Sequence, residues 1–372
     1  MGPSLHPFHA TLKPAGAACN LACAYCFYAD PLGDPGQAMM SAATLDRALA
    51  RIFQAHPDGT VSLTWQGGEP TLRGLGFYRR AFTRARELAR PGQRVIHGFQ
   101  TNGLLLDRDW ARLFREHGVL VGLSCDGPPA LHDRNRTDRW GRPSSGRVLQ
   151  AWRLLAAGGV DTNLLCTVNG ANVDHPLATY RYFRDELGAT NLQFIPLVRA
   201  GDGGEGPGTG YPDRLGRFLT GVYDEWVTRD VGIVSVQGFE ATLATVLGLP
   251  SLCVFARECG GCPVVERDGS LRACDPFADA AHRLEAFADL RAFDRLKADL
   301  PQTCLHCEVL DFCRGGCPAG RTPTGVHWLC AAWKAYFLRV RADMGWMARQ
   351  LRAGERPDRI METPHPRGVD GR

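Results

Sequence analysis

Three cysteines fall within eight residues of this 372-residue chain: Cys19, Cys23 and Cys26, in "CNLACAYC". Their C-x3-C-x2-C spacing suits neither the paired C-x2-C units of structural zinc nor the four thiolates that complete a [4Fe–4S] cube. Three thiolates on a cube leave one iron open, which is what a catalytic metal keeps for its substrate. The competing reading, three cysteines packed as small hydrophobes, does not account for the crowding. Nine more cysteines lie between 253 and 330, while Cys125 and Cys166 stand alone in strand-like runs and read as core residues. No stretch reaches the roughly eighteen apolar residues of a membrane span, and "MGPSLHPFHATLK" lacks a secretory signal. The chain therefore reads as cytoplasmic. In a reducing compartment clustered thiols point to metal rather than disulfides, so two metal-binding regions are expected. With 43 basic and 39 acidic residues and no long run of either sign, nothing suggests a nucleic acid or membrane partner.

These cysteines need a scaffold, and the intervening sequence supplies a rhythm. Apolar, β-branched runs recur as "FHATLK" near 8, "TVSLTWQ" at 60, "RVIHGFQ" at 94, "LVGLSC" at 120, "TNLLCTV" at 162 and "NLQFIPLV" at 191. Helical patterns follow them. Ser41 is placed to cap a helix with Leu45, Ala48, Leu49, Ile52 and Phe53 on one face, and Leu215, Phe218, Leu219, Val222 and Trp226 share a face after the sixth run. Alternating strands and helices predict a parallel α/β sheet, open or as a partial barrel. The cysteine triplet, "QGGEPT", "QTNG" and "SCDGP" each follow a strand, so they gather at the carboxyl-end rim where barrel active sites are built. The glycine-rich segment 199–212 reads as a mobile loop at that rim.

"CNLACAYCF" resembles the cluster loop of radical S-adenosylmethionine (SAM) enzymes, whose open iron is chelated by the methionine amino and carboxylate groups. "WQGGEPTL" at 65–72 is similar to the family's glycine-glycine-glutamate motif, and "LQFIPLV" at 192–198 to the motif that flanks the adenine. The resemblance implies a partial (β/α)6 barrel, with Tyr25, Gly68, Glu69, Ser124, Arg136 and Val198 as SAM contacts. The second cysteine region resembles the SPASM extension, which carries two further [4Fe–4S] clusters and brings the total to three. By that correspondence Cys253, Cys259, Cys274 and Cys317 would hold one cube, and Cys304, Cys307, Cys313 and Cys330 the other. Cys262 forms C-x2-C with Cys259 and could ligate in its place, while C-x2-C at 304 and 307 also suits zinc. Residues 1–235 are expected to form the barrel, 236–345 the SPASM domain and 346–372 a flexible tail.

Within that family the match looks closest to the anaerobic sulfatase-maturating enzymes, through "FHATLKPAGAACNLACAYCFY", "GGEPTL", "VGLSCDGP", "VVERDGSLRACD" and "FCRGGC". Those enzymes oxidise a serine or cysteine of a sulfatase to formylglycine. The resemblance implies Asp275 as general base, a Cys/Ser-x-Pro-x-Arg type target, a flavodoxin or ferredoxin as electron donor, and exit of the substrate's remaining electron through the SPASM clusters. A carboxylate beside an anionic cluster is expected to hold its proton more tightly, toward the range useful near neutrality. Aspartate is also a common turn residue, the plainer reading of Asp275. Where relatives carry leucine-glycine-asparagine after the aspartate, this chain reads "HRLEAFADL". The alternative is a maturase that crosslinks another ribosomally made peptide, and a non-catalytic iron–sulfur carrier would leave "GGEPT" unexplained.

Overall fold

The computed structural model describes residues 8–26, 28, 39–56, 58–197, 208, 210–259, 261–277 and 282–362. The six expected runs form six parallel strands that neighbour one another in chain order: β1 (His9–Leu12), β2 (Thr60–Trp65), β3 (Arg94–Thr101), β4 (Leu120–Ser124), β5 (Thr162–Val168) and β6 (Asn191–Pro196). In β2 every second residue, Val61, Leu63 and Trp65, is fully buried, the mark of a strand with one face on the core. The sheet order has two ends, so the barrel is partial.

Helices cover the sheet: α1 (Ala42–Ala55), α2 (Leu75–Leu88), α3 (Arg108–Glu116), α4 (Pro129–His132), α5 (Ser145–Ala157), α6 (Pro176–Arg181) and α7 (Tyr211–Arg229). Ser41 caps α1 by accepting from the Thr44 amide at 3.0 Å, and the five expected apolar residues of that helix are buried. The same holds for the apolar face of α7. Cys125 and Cys166 are core residues.

Four strands lay outside the expectation. β7 (Ser235–Val236) pairs with β6. On the far side of β1 run β8 (Val264–Val265), parallel to it, then β9 (Leu271–Arg272) and β10 (Arg283–Leu284), both antiparallel. Each is two residues long, too short for any periodic signal. Through them the sheet crosses the boundary expected at 235. The remaining helices are α8 (Gln237–Leu247), α9 (Arg291–Asp294), α10 (Gln302–Leu305), α11 (Leu310–Cys313) and α12 (Cys330–Arg352).

The tail expected from residue 346 needs correction. α12 runs on to Arg352 with Met347 and Ala348 buried, and a 3-10 turn at Pro357–Glu362 buries Ile360. Apolar residues at helical spacing continue to that point, and only 363–372 lie outside the described residues. Most of segment 199–212 lies outside them too. Among the described residues no helix is long and apolar enough to cross a membrane.

Candidate active site

A cleft of about 290 Å³ opens at the carboxyl ends of the strands. Cys19, Cys23, Cys26, Tyr25, Gly68, Ser124, Arg136 and Asp275 all line it. The loop bearing the three cysteines is fixed from three sides. Its Ala18 carbonyl accepts from the Glu69 amide at 2.8 Å, its Ala22 and Ala24 amides donate to the Thr137 and Asn135 carbonyls at 2.8 and 3.0 Å, and Asn102 Nδ2 lies 3.7 Å from Cys19 Sγ. The glycine pair after β2 lets the chain come this close. Gly68 sits at φ +46°, and a Cβ there would lie 2.2 Å from the Ala18 carbonyl oxygen; one on Gly67 (φ +89°) would lie 2.8 Å from Lys13 Cγ.

Glu69, expected as a SAM contact, does not present its carboxylate to the cleft. It is 1% exposed and is not among the residues lining the cleft. One carboxylate oxygen accepts from the Thr71 amide (2.9 Å), the Thr71 hydroxyl (2.6 Å) and the Thr101 hydroxyl (2.8 Å), while the other accepts from the Asn102 amide (2.8 Å). Burial raises its pKa, and these bonds to the charged form work against that rise. Glu69 thus ties the β2 and β3 loops together beneath the cluster loop.

Asp126, quoted within "SCDGP" but not singled out as a site residue, organises the opposite wall. It is fully buried, accepts from Tyr25 Oη at 2.5 Å and from the Thr167 amide at 3.0 Å, and lies 2.9 Å from Arg136 Nε. Although that Nε is within reach of the carboxylate, its N–H is not aimed along the line. Arg136 is held over the Tyr25 ring, 5.6 Å from its centroid. Ser124 ends β4 beside them. Val198 lies outside the described residues; Leu197, just before it, lines the cleft.

Asp275 reaches the cleft because the β8–β9 hairpin docks on β1, with the Lys13 amide donating to the Val265 carbonyl at 3.0 Å. Three side chains contact the carboxylate. Lys13 Nζ contacts Asp275 Oδ1 and lies 3.4 Å from Glu266 Oε1, Gln66 Nε2 donates to Oδ2 at 3.0 Å, and Tyr28 Oη lies 3.1 Å from both carboxylate oxygens. Burial and then the Asp275 charge push the Tyr28 phenol far up, so it remains a donor. The expectation weighed only a cluster's negative charge; the nearest charge is a buried ammonium.

The second cysteine region divides in space. Cys304, Cys307, Cys313 and Cys330 lie within electrostatic reach of one another. Cys253, Cys259, Cys274 and Cys317 form another neighbourhood, and Cys262 belongs to it, within electrostatic reach of Cys253, Cys259 and Cys274. The closeness of the two thiols lowers the pKa of Cys253 and raises that of Cys262. Lys297, 2% exposed, donates to the carbonyls of Cys253 (2.6 Å), Val254 (2.9 Å) and Ala256 (2.9 Å) and so shapes the loop that bears Cys253.

The Radical SAM superfamily model matches residues 14–183. The chain is 32% identical to the serine-type anaerobic sulfatase-maturating enzyme of Bacteroides thetaiotaomicron, over 97% of this chain and 96% of that one. It is 37% identical to the serine-type enzyme of Klebsiella aerogenes, over 93% and 88% respectively. The chain belongs to the anaerobic sulfatase-maturating enzymes of the radical SAM superfamily. Its structure superposes on that of native anSMEcpe with bound AdoMet at a TM-score of 0.84 and 29% identity, covering 92% of this chain and all of the other. The related anSMEcpe structure with bound AdoMet and the Cp18Cys peptide covers 93% of this chain.

For a radical SAM enzyme the residues present suit a cluster. Three thiols face one cleft, and burial pushes Cys19 and Cys23 up to about 12 and about 11, so thiolates form there only with a bound cation. Among the described residues no three Cys, His, Asp or Glu side chains converge as on one mononuclear ion; the ligands of a cube, each on its own iron, stand farther apart. Lys13, Gln66, Tyr28 and Asp126 are the site residues that sequence reasoning missed. Each lies at or just past a strand end or inside a quoted motif, which is the signal that could have found them.

Proposed function

We propose that this enzyme oxidises Cβ of a serine or cysteine in a sulfatase, within a Cys/Ser-x-Pro-x-Arg type sequence, to formylglycine. The observation that carries the reading is Asp275, held at the wall of the same cleft that Cys19, Cys23 and Cys26 line. When bound, a [4Fe–4S] cluster on those three cysteines with SAM supplies the radical that takes the Cβ hydrogen, and two further clusters supply an acceptor for the electron left on that carbon.

Asp275 accepts the hydroxyl or thiol proton. Lys13, Gln66 and Tyr28 fix the carboxylate's orientation, so it meets the substrate without rearranging. Gly68, Ser124 and Arg136 line the part of the cleft that would take SAM, and Leu197 with Ile195 closes its apolar side. Cys253, Cys259, Cys274 and Cys317 would hold one further cluster and Cys304, Cys307, Cys313 and Cys330 the other, with Cys262 beside the first set. In the net change a serine side chain and SAM become the aldehyde, methionine, 5′-deoxyadenosine and a proton; cysteine yields a thioaldehyde that water hydrolyses. A cytoplasmic, reducing setting with a flavodoxin or ferredoxin as donor suits so many thiols.

The test is anaerobic turnover of the reconstituted enzyme with dithionite, SAM and a peptide bearing the target sequence. Aldehyde formation detected by mass is expected, and Asp275→Asn should lower it by roughly 10²–10⁴-fold while SAM cleavage persists. Methionine and 5′-deoxyadenosine released over an unmodified peptide would overturn the sulfatase assignment.

A further inference from the structure

Residues 134–143 face two ways. Inward, Arg136 lines the cofactor cleft, and the Asn135 and Thr137 carbonyls accept from the cluster loop's own amides. Outward, Trp140 is 64% exposed, with Arg139 and Arg142 stacked on it at 4.2 and 4.6 Å from the ring. Arg134 is exposed on the same segment. Asp133 and Asp138 are both engaged by groups of their own segment or the next helix. Asp133 accepts from the Ser144 and Ser145 amides, and Asp138 from the Trp140 and Arg142 amides and from Arg142 Nε at 2.6 Å. Among the described residues Arg134 and Arg139 make no ion pair. The exposed face is therefore cationic around an aromatic anchor, although the chain as a whole carries only +4.

We propose that this face docks an acidic one-electron carrier protein that delivers its electron to the three-cysteine centre. The inference rests on the radical SAM reading above. Exposed tryptophan and arginine are the residues that anchor protein interfaces, and a cationic patch steers an acidic partner. Distance favours the site. Three residues separate Trp140 from Thr137, which is hydrogen-bonded to the cluster loop, so the backbone at Trp140 lies within about 11 Å of that contact. The chain has no continuous basic run for nucleic acid. The transfer balances simply: the carrier is oxidised by one electron, the centre is reduced by one, and no proton need move.

The test uses the reconstituted enzyme and fully reduced flavodoxin as probe. Binding is read by flavin fluorescence titration, and electron transfer by the stopped-flow rate of flavodoxin oxidation. Wild type should bind in a salt-sensitive manner. Arg134→Glu/Arg139→Glu and, separately, Trp140→Ala should each weaken binding and slow oxidation roughly tenfold. Turnover driven by dithionite, which needs no docking, should be unchanged in both variants. Wild-type binding that ignores salt, variants that bind as wild type does, loss of dithionite-driven turnover in the variants, or a raised KM for the peptide with flavodoxin kinetics intact would each overturn the proposal. If wild type itself failed to cleave SAM with dithionite, it would be the functional reading that fell.

Discussion

Glu69 and Asp275 are both carboxylates of the active-site region, and their partners give them different work. Glu69 is filled by four hydrogen bonds from its own chain and serves as a joint, whereas Asp275 stands at the cleft wall beside an ammonium, an amide and a phenol. Lys13 is thus a positioning residue. Lys13→Met should lower the turnover number by about 10² with little change in KM for the peptide. A pH–rate profile whose acidic limb moves in the variant, together with recovery in Lys13→Arg, would separate this role from a general loss of structure. Three histidines carry a second residue-scale consequence. Burial lowers His97, His132 and His327 from 6.5 to about 4. His132 Nδ1 accepts from the Asp126 amide at 3.2 Å, so the neutral ring is the one that fits. Between those two values the unfolded chain takes up protons that the folded chain refuses. Stability is therefore intact at neutral pH and falls as pH drops from about 6.5 toward 4, by up to roughly 1.4 kcal/mol per unit for each ring. Thermal midpoints across that range should decline, and less so in His132→Gln.

At the scale of elements, the cluster loop stands on the turn that follows β2. Gly68→Ala would put a methyl against the Ala18 carbonyl in a left-handed backbone, and the loop must lift to admit it. The expected outcome is loss of the SAM-dependent change in the cluster's EPR signal, with total iron falling by about one cluster per chain. A variant that keeps both would show the glycine to be dispensable. How much was legible in the sequence follows from length and separation. β1 to β6 were readable because each lies in an apolar run of four or more residues followed by a helical pattern, and α1 announced itself through Ser41 and a clean apolar face. β8, β9 and β10 were not, since two residues carry no period. The three thiols at 19–26 were readable from local spacing alone. The Lys13–Asp275 contact was not, because its partners lie 262 residues apart and only the docked hairpin joins them. Glu69 was visible as a motif member, but its direction was set by Thr71, Thr101 and Asn102, which no pattern in the sequence ranks.

Across the whole molecule, one sheet and one long helix join the barrel to the cysteine-rich region. α12 starts at Cys330 and packs on α7, where Arg339 pairs with Asp224 at 2.8 Å. A chain ending at residue 345 would lose buried Met347, Ala348 and Ile360. With about 2–5 kcal/mol for each large apolar side chain lost from a core, the truncated chain should melt well below the full one by calorimetry, or fail to stay soluble. Equal midpoints would show that the end of α12 is a separate appendage.

The seat of β1 has a further consequence, in time rather than in space. β1 leaves the ribosome well before its outer neighbour β8 and the adjoining Glu266, which come about 250 residues later; Lys13 and Glu266 are 253 positions apart. At ribosomal rates of about 5–20 residues per second, that margin stays unpaired for roughly 10–50 s. Throughout that interval the nascent barrel presents a bare strand margin to any other chain, and such margins nucleate aggregation. Synthesis of the β8–β9 hairpin is what ends the exposure, and the same event brings Asp275 to its cleft.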